Sequence, residues 1–291
     1  MFSVTIFTPT YNRAHLLPRL YGSLCKQTYL DFEWVIVDDG SKDNTEEITE
    51  SFIKEQKIRI RYFKQENGGK HRAINRGVKE AKGELFLILD SDDSLPQDSL
   101  ELIYNYYQQI KDDDSYGGVC GYMAHHDGTI IGNGNNDAIL NTTSIDLRYK
   151  YNVKGDMCEV FKTSVMRLFP FPEIEKERFC PEILIWNRIA TKYKIRVFHE
   201  VIYFRDYLEG GLTDKIIKIR MNSPIASMMT YAEMTKYKNV PFLEKCKSAI
   251  NYWRFYLCTK QHSIKPKIAT IWSLLFPVGF IMHLRDIRLT R

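Results

Sequence analysis

The chain has 291 residues, 44% hydrophobic and 26% charged, so it can bury a sizeable core and is expected to fold as an ordinary globular protein. Its 41 Lys and Arg against 36 Asp and Glu leave a net charge of +5, spread along the chain rather than gathered in one block, so nucleic-acid binding is not demanded. Six cysteines (Cys25, Cys120, Cys158, Cys180, Cys246 and Cys258) lie far apart with no CxxC pair, which argues against a zinc cluster or a dense disulfide framework and fits a reducing compartment.

The opening "MFSVTIFTPTYNR" lacks a basic leader, a long apolar region and a small-residue cleavage site, so it reads as a first strand and not as a secretory signal. From there short β-rich runs alternate with helical patterns: strand 4–8, helix 14–25, strand 33–38, helix 44–54, strand 59–64, helix 70–81, strand 85–90 and helix 97–110. Such alternation specifies a parallel sheet with right-handed crossovers. The runs "WVIVD" and "LFLILD" are apolar almost throughout, which implies burial on both faces. After Gly117 the alternation loosens into a Gly/Asn-rich turn, "GTIIGNGNND", and a strand at "EVFKT". Helical patterns follow over 181–192 and 222–238, and from Pro241 onward the pattern is helical and aromatic. No internal repeat or linker stands out. The reading is one domain over 1–215, in two halves (1–115 and 116–215), with a helical extension over 216–291.

Ligands of open α/β sheets bind beyond the carboxyl ends of the strands, where "TPTYN", "DDGS" and "DSDD" all fall. Asp90, Asp92 and Asp93 would repel one another unless a cation sat among them, and a hard divalent ion bridging to phosphate needs only one or two carboxylates. The alternative is that one aspartate caps the next helix and the others are solvated. In "DDGSKDNT", Gly40 permits a tight turn and Asp43 or Asn44 can cap the following helix. Asp39 is the functional candidate, because its carboxylate can accept a hydrogen bond from the imide N–H of uracil. In "TPTYN", Pro9 and Tyr11 can hold a flat base, although a core tyrosine is the commoner arrangement. In "NGGKHRAINRGVKEAKGE", Lys70 stands at a helix start, able to meet a diphosphate, while Ala73, Asn75, Gly77 and Ala81 keep that helix slim for close packing.

Taken in order, "TPTYNRAHLLPRLYGSLCKQTYLDFEWVIVDDGSKDNT", "NGGKHRAINRGVKEAKGELFLILDSDD" and "LPQDSLE" resemble the family 2 glycosyltransferases over roughly the first 110 residues. The resemblance implies the GT-A nucleotide-diphospho-sugar transferase fold, a Rossmann-like mostly parallel sheet flanked by helices. It implies an inverting displacement on a nucleotide-sugar donor, most often a uridine one, with Mn2+ or Mg2+. Carried onto this chain it places Thr8, Pro9, Tyr11, Arg13 and Asp39 with the nucleotide and Lys70 with the phosphates. Asp90 and Asp92 fall to the ribose and the metal, with Asp93 as an additional metal ligand.

The downstream stretches "KGDMCEVFKTSVMRLFPFPEIEKERFCPEILIWNRIA" and "YLEGGLT" resemble a subgroup of these enzymes. There the family needs a carboxylate to deprotonate the acceptor hydroxyl. Glu182 is the candidate and Asp156 the rival; many relatives have a Glu-Asp pair where this chain has Glu182-Ile183. Trp186 could offer a ring to an acceptor sugar, and Gly210 and Gly211 could hinge a loop over the donor. The QxxRW motif and membrane spans of processive synthases do not occur, which points to addition of one sugar to a saccharide or lipid-linked acceptor in bacterial surface polysaccharide or lipopolysaccharide synthesis. The run 268–284, flanked by Lys265, Lys267, Arg285, Arg288 and Arg291, suits either an amphipathic segment on the cytoplasmic face of a membrane or a packed helical hairpin. Two rival functions remain, a sugar nucleotidyltransferase and a non-catalytic acceptor-binding partner subunit.

Overall fold

Short β-rich runs, too short for helices, become the first four strands of one sheet. In the computed structural model, which describes residues 2–134, 139–206, 215–259 and 265–290, these are β1 (Phe2–Thr10), β2 (Phe32–Asp38), β3 (Arg59–Lys64) and β4 (Gly83–Ile88). The helices α1 (Leu17–Leu24), α2 (Thr45–Glu55) and α3 (Lys70–Glu80) connect them in turn, and α4 (Ser99–Gln108) follows β4. β2 is buried at every position, as expected for a strand covered on both faces. Beyond α4 come β5 (Tyr116–Ala124), β6 (Ile139–Thr142), α5 (Ser144–Tyr149), β7 (Met157–Lys162), α6 (Thr163–Leu168), α7 (Ile183–Ala190) and β8 (Lys194–Phe204).

The described strands form one sheet in the order β3-β2-β1-β4-β7-β5-β8-β6. β1 pairs parallel with β2 and β4, β2 with β3, and β5 with β8, whereas β7 runs antiparallel between β4 and β5 and β6 antiparallel along β8. The register sets Ile6 beside Trp34 and Leu87, the centre of a core that also takes Leu20, Leu24, Phe52 and Ile103. On the opposite face α3 lies close against β1. Ala73 and Gly77 are buried there, and a Cβ on Gly77 would stand 2.2 Å from the nearest ring carbon of Phe7.

Residue contacts divide the chain into two compact units: residues 1–170 with 188–206, and residues 171–187 with 207–291. The first holds the whole sheet. The second contains α8 (Ile216–Asn222), α9 (Pro224–Met234), α10 (Phe242–Tyr256), a 3₁₀ helix (Thr270–Leu275) and α11 (Phe276–Thr290). Segment 171–187 is tied into this helical unit by Glu177, whose carboxylate accepts hydrogen bonds from the backbone N–H groups of Ile225 (2.7 Å) and Ala226 (2.9 Å), two donors that the first turn of α9 leaves without helical partners. The helix expected over 222–238 is α9, preceded by α8; the two are separate because Pro224 has no N–H to continue α8 but is well suited to open α9. No described helix is long and apolar enough to cross a membrane.

Candidate active site

The loops after β1 and β2 are stitched together before any functional group is placed. Asn12 N–H donates to Ser41 Oγ and Lys42 N–H to Asn12 Oδ1, each at 2.8 Å. Asp43, rather than Asn44, serves the start of α2: one oxygen accepts from the Thr45 hydroxyl at 2.6 Å and the other from Ala14 N–H at 3.0 Å. These donors overcome the effect of burial and hold the Asp43 carboxyl below its usual range. Gly40 takes a positive φ of 85°, which the turn requires.

Asp39 is buried and anchors the Gly-rich turn. Its Oδ1 accepts from Gln65 Nε2 (2.8 Å) and Gly68 N–H (3.0 Å), and its Oδ2 from Gly69 N–H (2.7 Å). Three of roughly four acceptor positions of a carboxylate are thereby taken. Thr8 differs from expectation: its side chain is fully enclosed and its hydroxyl accepts from Trp34 Nε1 at 2.9 Å, because the strand's alternation turns it into the core. Pro9 is half-buried and Tyr11 is 45% exposed, so these two do meet solvent at the strand end.

Beyond β4 the chain brings together Arg13, Lys70, Asp90, Asp92 and Asp93. Lys70, the first residue of α3, has Nζ 2.7 Å from the Asp90 carboxylate and hydrogen-bonds Oδ2. Asp92 is ion-paired with Arg13, and its carbonyl accepts from Arg19. None of the three aspartates caps α4, whose N-cap is Asp98. Each offers one oxygen within 4.8 Å of the other two, and the buried Asp90 Oδ1, which accepts no well-directed hydrogen bond, has the Lys70 ammonium 2.7 Å away as its counter-charge. Three convergent carboxylate oxygens fit a hard divalent cation, which would share Asp90 with Lys70.

Electrostatics separate the three carboxylates. Desolvation pushes Asp90 upward, but the charge and hydrogen bond of Lys70, with Arg205 and Arg13, overcome this and hold it below the ordinary range. Asp93, with desolvation first and the Asp90 charge second, is pushed up to about 7. Beneath them Tyr203 of β8 acts as a strut, its buried hydroxyl donating to Asp93 at 2.6 Å and accepting from Asp90 N–H at 3.0 Å. The loop is strapped to the end of β8 by paired backbone bonds between Ser94 and Phe204, at 2.8 and 3.0 Å.

Sequence reasoning missed this support. Arg205 holds Asp156 at 2.9 Å, while Asp206 bonds Nδ1 of both His126 (2.6 Å) and His125 (3.1 Å), and His126 Nε2 meets Ser94 Oγ at 3.0 Å. The available signal was "VIYFRD", another apolar strand ending in charge. Asp156 thus lies in the sheet unit, joined through Arg205 to the end of β8. Glu182 and Trp186 lie in the helical unit. The Glu182 carbonyl accepts from Ile185 and Trp186 N–H at the start of α7, and the Trp186 ring is buried edge-on against Phe171. Gly210 and Gly211 lie outside the described residues.

The family model described as "Glycosyl transferase family 2" matches residues 5–211. The chain is 39% identical over 113 residues to glycosyltransferase GlyG of Streptococcus pneumoniae serotype 4, a match that takes in 38% of this chain and 36% of GlyG, so the chain spans little more than a third of that relative's length. Among solved structures, S. aureus TarS 1-349 in complex with UDP-GlcNAc superposes with a TM-score of 0.60 at 18% identity, covering 98% of this chain and 81% of that one. The mannosyltransferase PcManGT from Pyrobaculum calidifontis, in complex with GDP-Man and Mn2+, gives 0.57 at 18% identity, covering 97% and 80%. These structural likenesses establish the fold.

Proposed function

The chain belongs to glycosyl transferase family 2, and from that premise we propose that it moves a single sugar, with inversion, from a UDP-sugar to a saccharide or lipid-linked acceptor. The observation that carries this reading is the meeting of Asp90, Asp92 and Asp93 with Lys70 and Arg13 at the end of β4. Carboxylates for a metal and cations for a diphosphate are what a nucleotide-sugar donor requires. Asp90 and Asp92 would hold Mn2+ or Mg2+, with Asp93 as a further ligand; when bound, the ion supplies Lewis-acid stabilisation of the departing diphosphate.

Lys70 and Arg13, now on carboxylates, are the groups to bind the donor's phosphates. The acceptor position still open on Asp39 suits the imide N–H of uracil, and Pro9 and Tyr11 flank the base. In the transfer an acceptor hydroxyl oxygen bonds to the anomeric carbon, the bond from that carbon to the diphosphate oxygen breaks, and the diphosphate leaves with the electron pair. The hydroxyl proton passes to a carboxylate. We assign that base to Glu182, with Asp156 as the alternative. We place the enzyme in bacterial surface polysaccharide or lipopolysaccharide synthesis, working at the cytoplasmic face of the membrane with its C-terminal extension against the lipid. Purified protein should slowly release UDP from its UDP-sugar without acceptor in the presence of Mn2+, and Asp92→Asn should abolish that release. Release that survives chelation, or survives in Asp92→Asn, would remove the metal assignment.

A further inference from the structure

The end of the helical unit is built inside out. Along α11 the residues packed toward α10 are Phe276, Gly279, His283 and Asp286, a helical repeat. Gly279 allows the close approach, since a Cβ there would stand 2.9 Å from the Ile250 carbonyl oxygen. His283 Nδ1 lies 3.6 Å from Cys258 Sγ. Asp286 is buried and pairs with Arg254 through both oxygens, one of the bonds being 2.6 Å. The polar partners therefore lie under the helix.

The outward side is apolar. Ile271 and Leu274 of the 3₁₀ helix and Val278, Ile281, Leu284 and Leu289 of α11 are each 42% to 76% exposed. A helix on a water-facing protein surface has the reverse arrangement. Charge is equally one-sided. Residues 265–290 contain one acid, Asp286, which is buried with Arg254, against Lys265, Lys267, Arg285 and Arg288. Lys267, Arg285 and Arg288 are exposed, and Lys265 lies over the Tyr256 ring at 3.9 Å.

An exposed apolar face with Lys267 before it and Arg285 and Arg288 on the same side toward its C-terminal end, and with no exposed acid of its own segment, matches the acyl boundary of a bilayer with anionic headgroups, the long arginine side chains reaching up to the headgroups. A second copy is a poorer occupant, because a self-complementary interface would bring these cations against their own counterparts. At 15 residues α11 is too short to span. We infer that residues 270–289 form a monotopic anchor lying flat in an anionic lipid surface, with the 3₁₀ helix and α11 sunk to the acyl boundary and Lys267, Arg285 and Arg288 among the headgroups. This rests on the proposed placement of the enzyme at a membrane and names the chemistry that holds it there.

The test is flotation of the full chain with vesicles of phosphatidylcholine alone and of phosphatidylcholine with phosphatidylglycerol. Binding should need the anionic lipid. The double variant Leu274→Asp/Ile281→Asp should lower the bound fraction by about 10-fold or more, with its melting temperature and UDP-sugar binding unchanged. Arg285→Glu/Arg288→Glu should lose the preference for anionic lipid. No binding by the parent chain, or undiminished binding by the apolar double variant, overturns the anchor, as does a dimer in sedimentation that the same variant dissociates. Binding to vesicles by a protein that transfers no sugar would keep the anchor and remove the transferase reading, whereas transfer without vesicle binding would do the opposite.

Discussion

Asp93 sits where a negative charge is least stable, buried and beside the anionic Asp90, and its carboxyl is raised to about 7. Between its unfolded value near 3.8 and about 7 the native state binds the extra proton. The stability this group contributes is therefore full below the unfolded value and is lost as pH rises through about 7, the reverse of a salt-bridged carboxylate. In chelator, thermal melts of Asp93→Asn against the parent chain should show the variant's relative stability growing as pH rises from about 5 to about 8. A gap that stays constant with pH would contradict the assignment. At the other end of the reaction, Glu182→Gln should leave donor binding intact and slow transfer by about 100-fold or more. Near-normal transfer in that variant, with loss in Asp156→Asn, would move the base to Asp156. The aspartates that the structure gathers after β2 and β4 were readable because charge ends an apolar strand at each place. Tyr203, Arg205 and Asp206 were not, because their partners lie as far away as Asp90 and Asp93, with sequence separations of 113 and 110 for the two Tyr203 bonds.

At the scale of elements, the fit of α3 to β1 depends on the missing side chain at Gly77. Gly77→Ala should destabilise the fold by about 1–3 kcal/mol through overpacking against Phe7, despite alanine's better helix propensity. Denaturant melts that show no loss would mean that the helix can lift from the strand without cost. The first four strands and four helices were legible as clean alternations of period, with ends within a few residues. The later strands were harder for physical reasons. β5, "YGGVCGYMA", has three glycines, which weaken a strand signal, and β8, "KIRVFHEVIYF", mixes charge with apolar residues because it is buried at only some positions. The break at Ser223 was written in Pro224, which outranks the apolar periodicity continuing on either side.

At the scale of the whole molecule, the two units divide the chemistry. The sheet unit holds the five charged groups that we propose for the donor and metal, and the helical unit holds Glu182 and the exposed apolar surface of α11 with its cations. Sequence supplied the greasy run and its flanking Lys and Arg, but not which side of α11 faces out. That depended on Asp286 finding Arg254 and on Gly279 admitting Trp253 and Ile250, both matters of tertiary packing. The central claim, a metal-dependent site for a nucleotide sugar beyond β4, is tested most directly by titration calorimetry of the full chain against a panel of UDP-, GDP- and dTDP-sugars, with Mn2+ and with chelator. One UDP-sugar should bind in Mn2+ and fail to bind in chelator. Equal binding in chelator, or binding to none of the panel, would contradict the account.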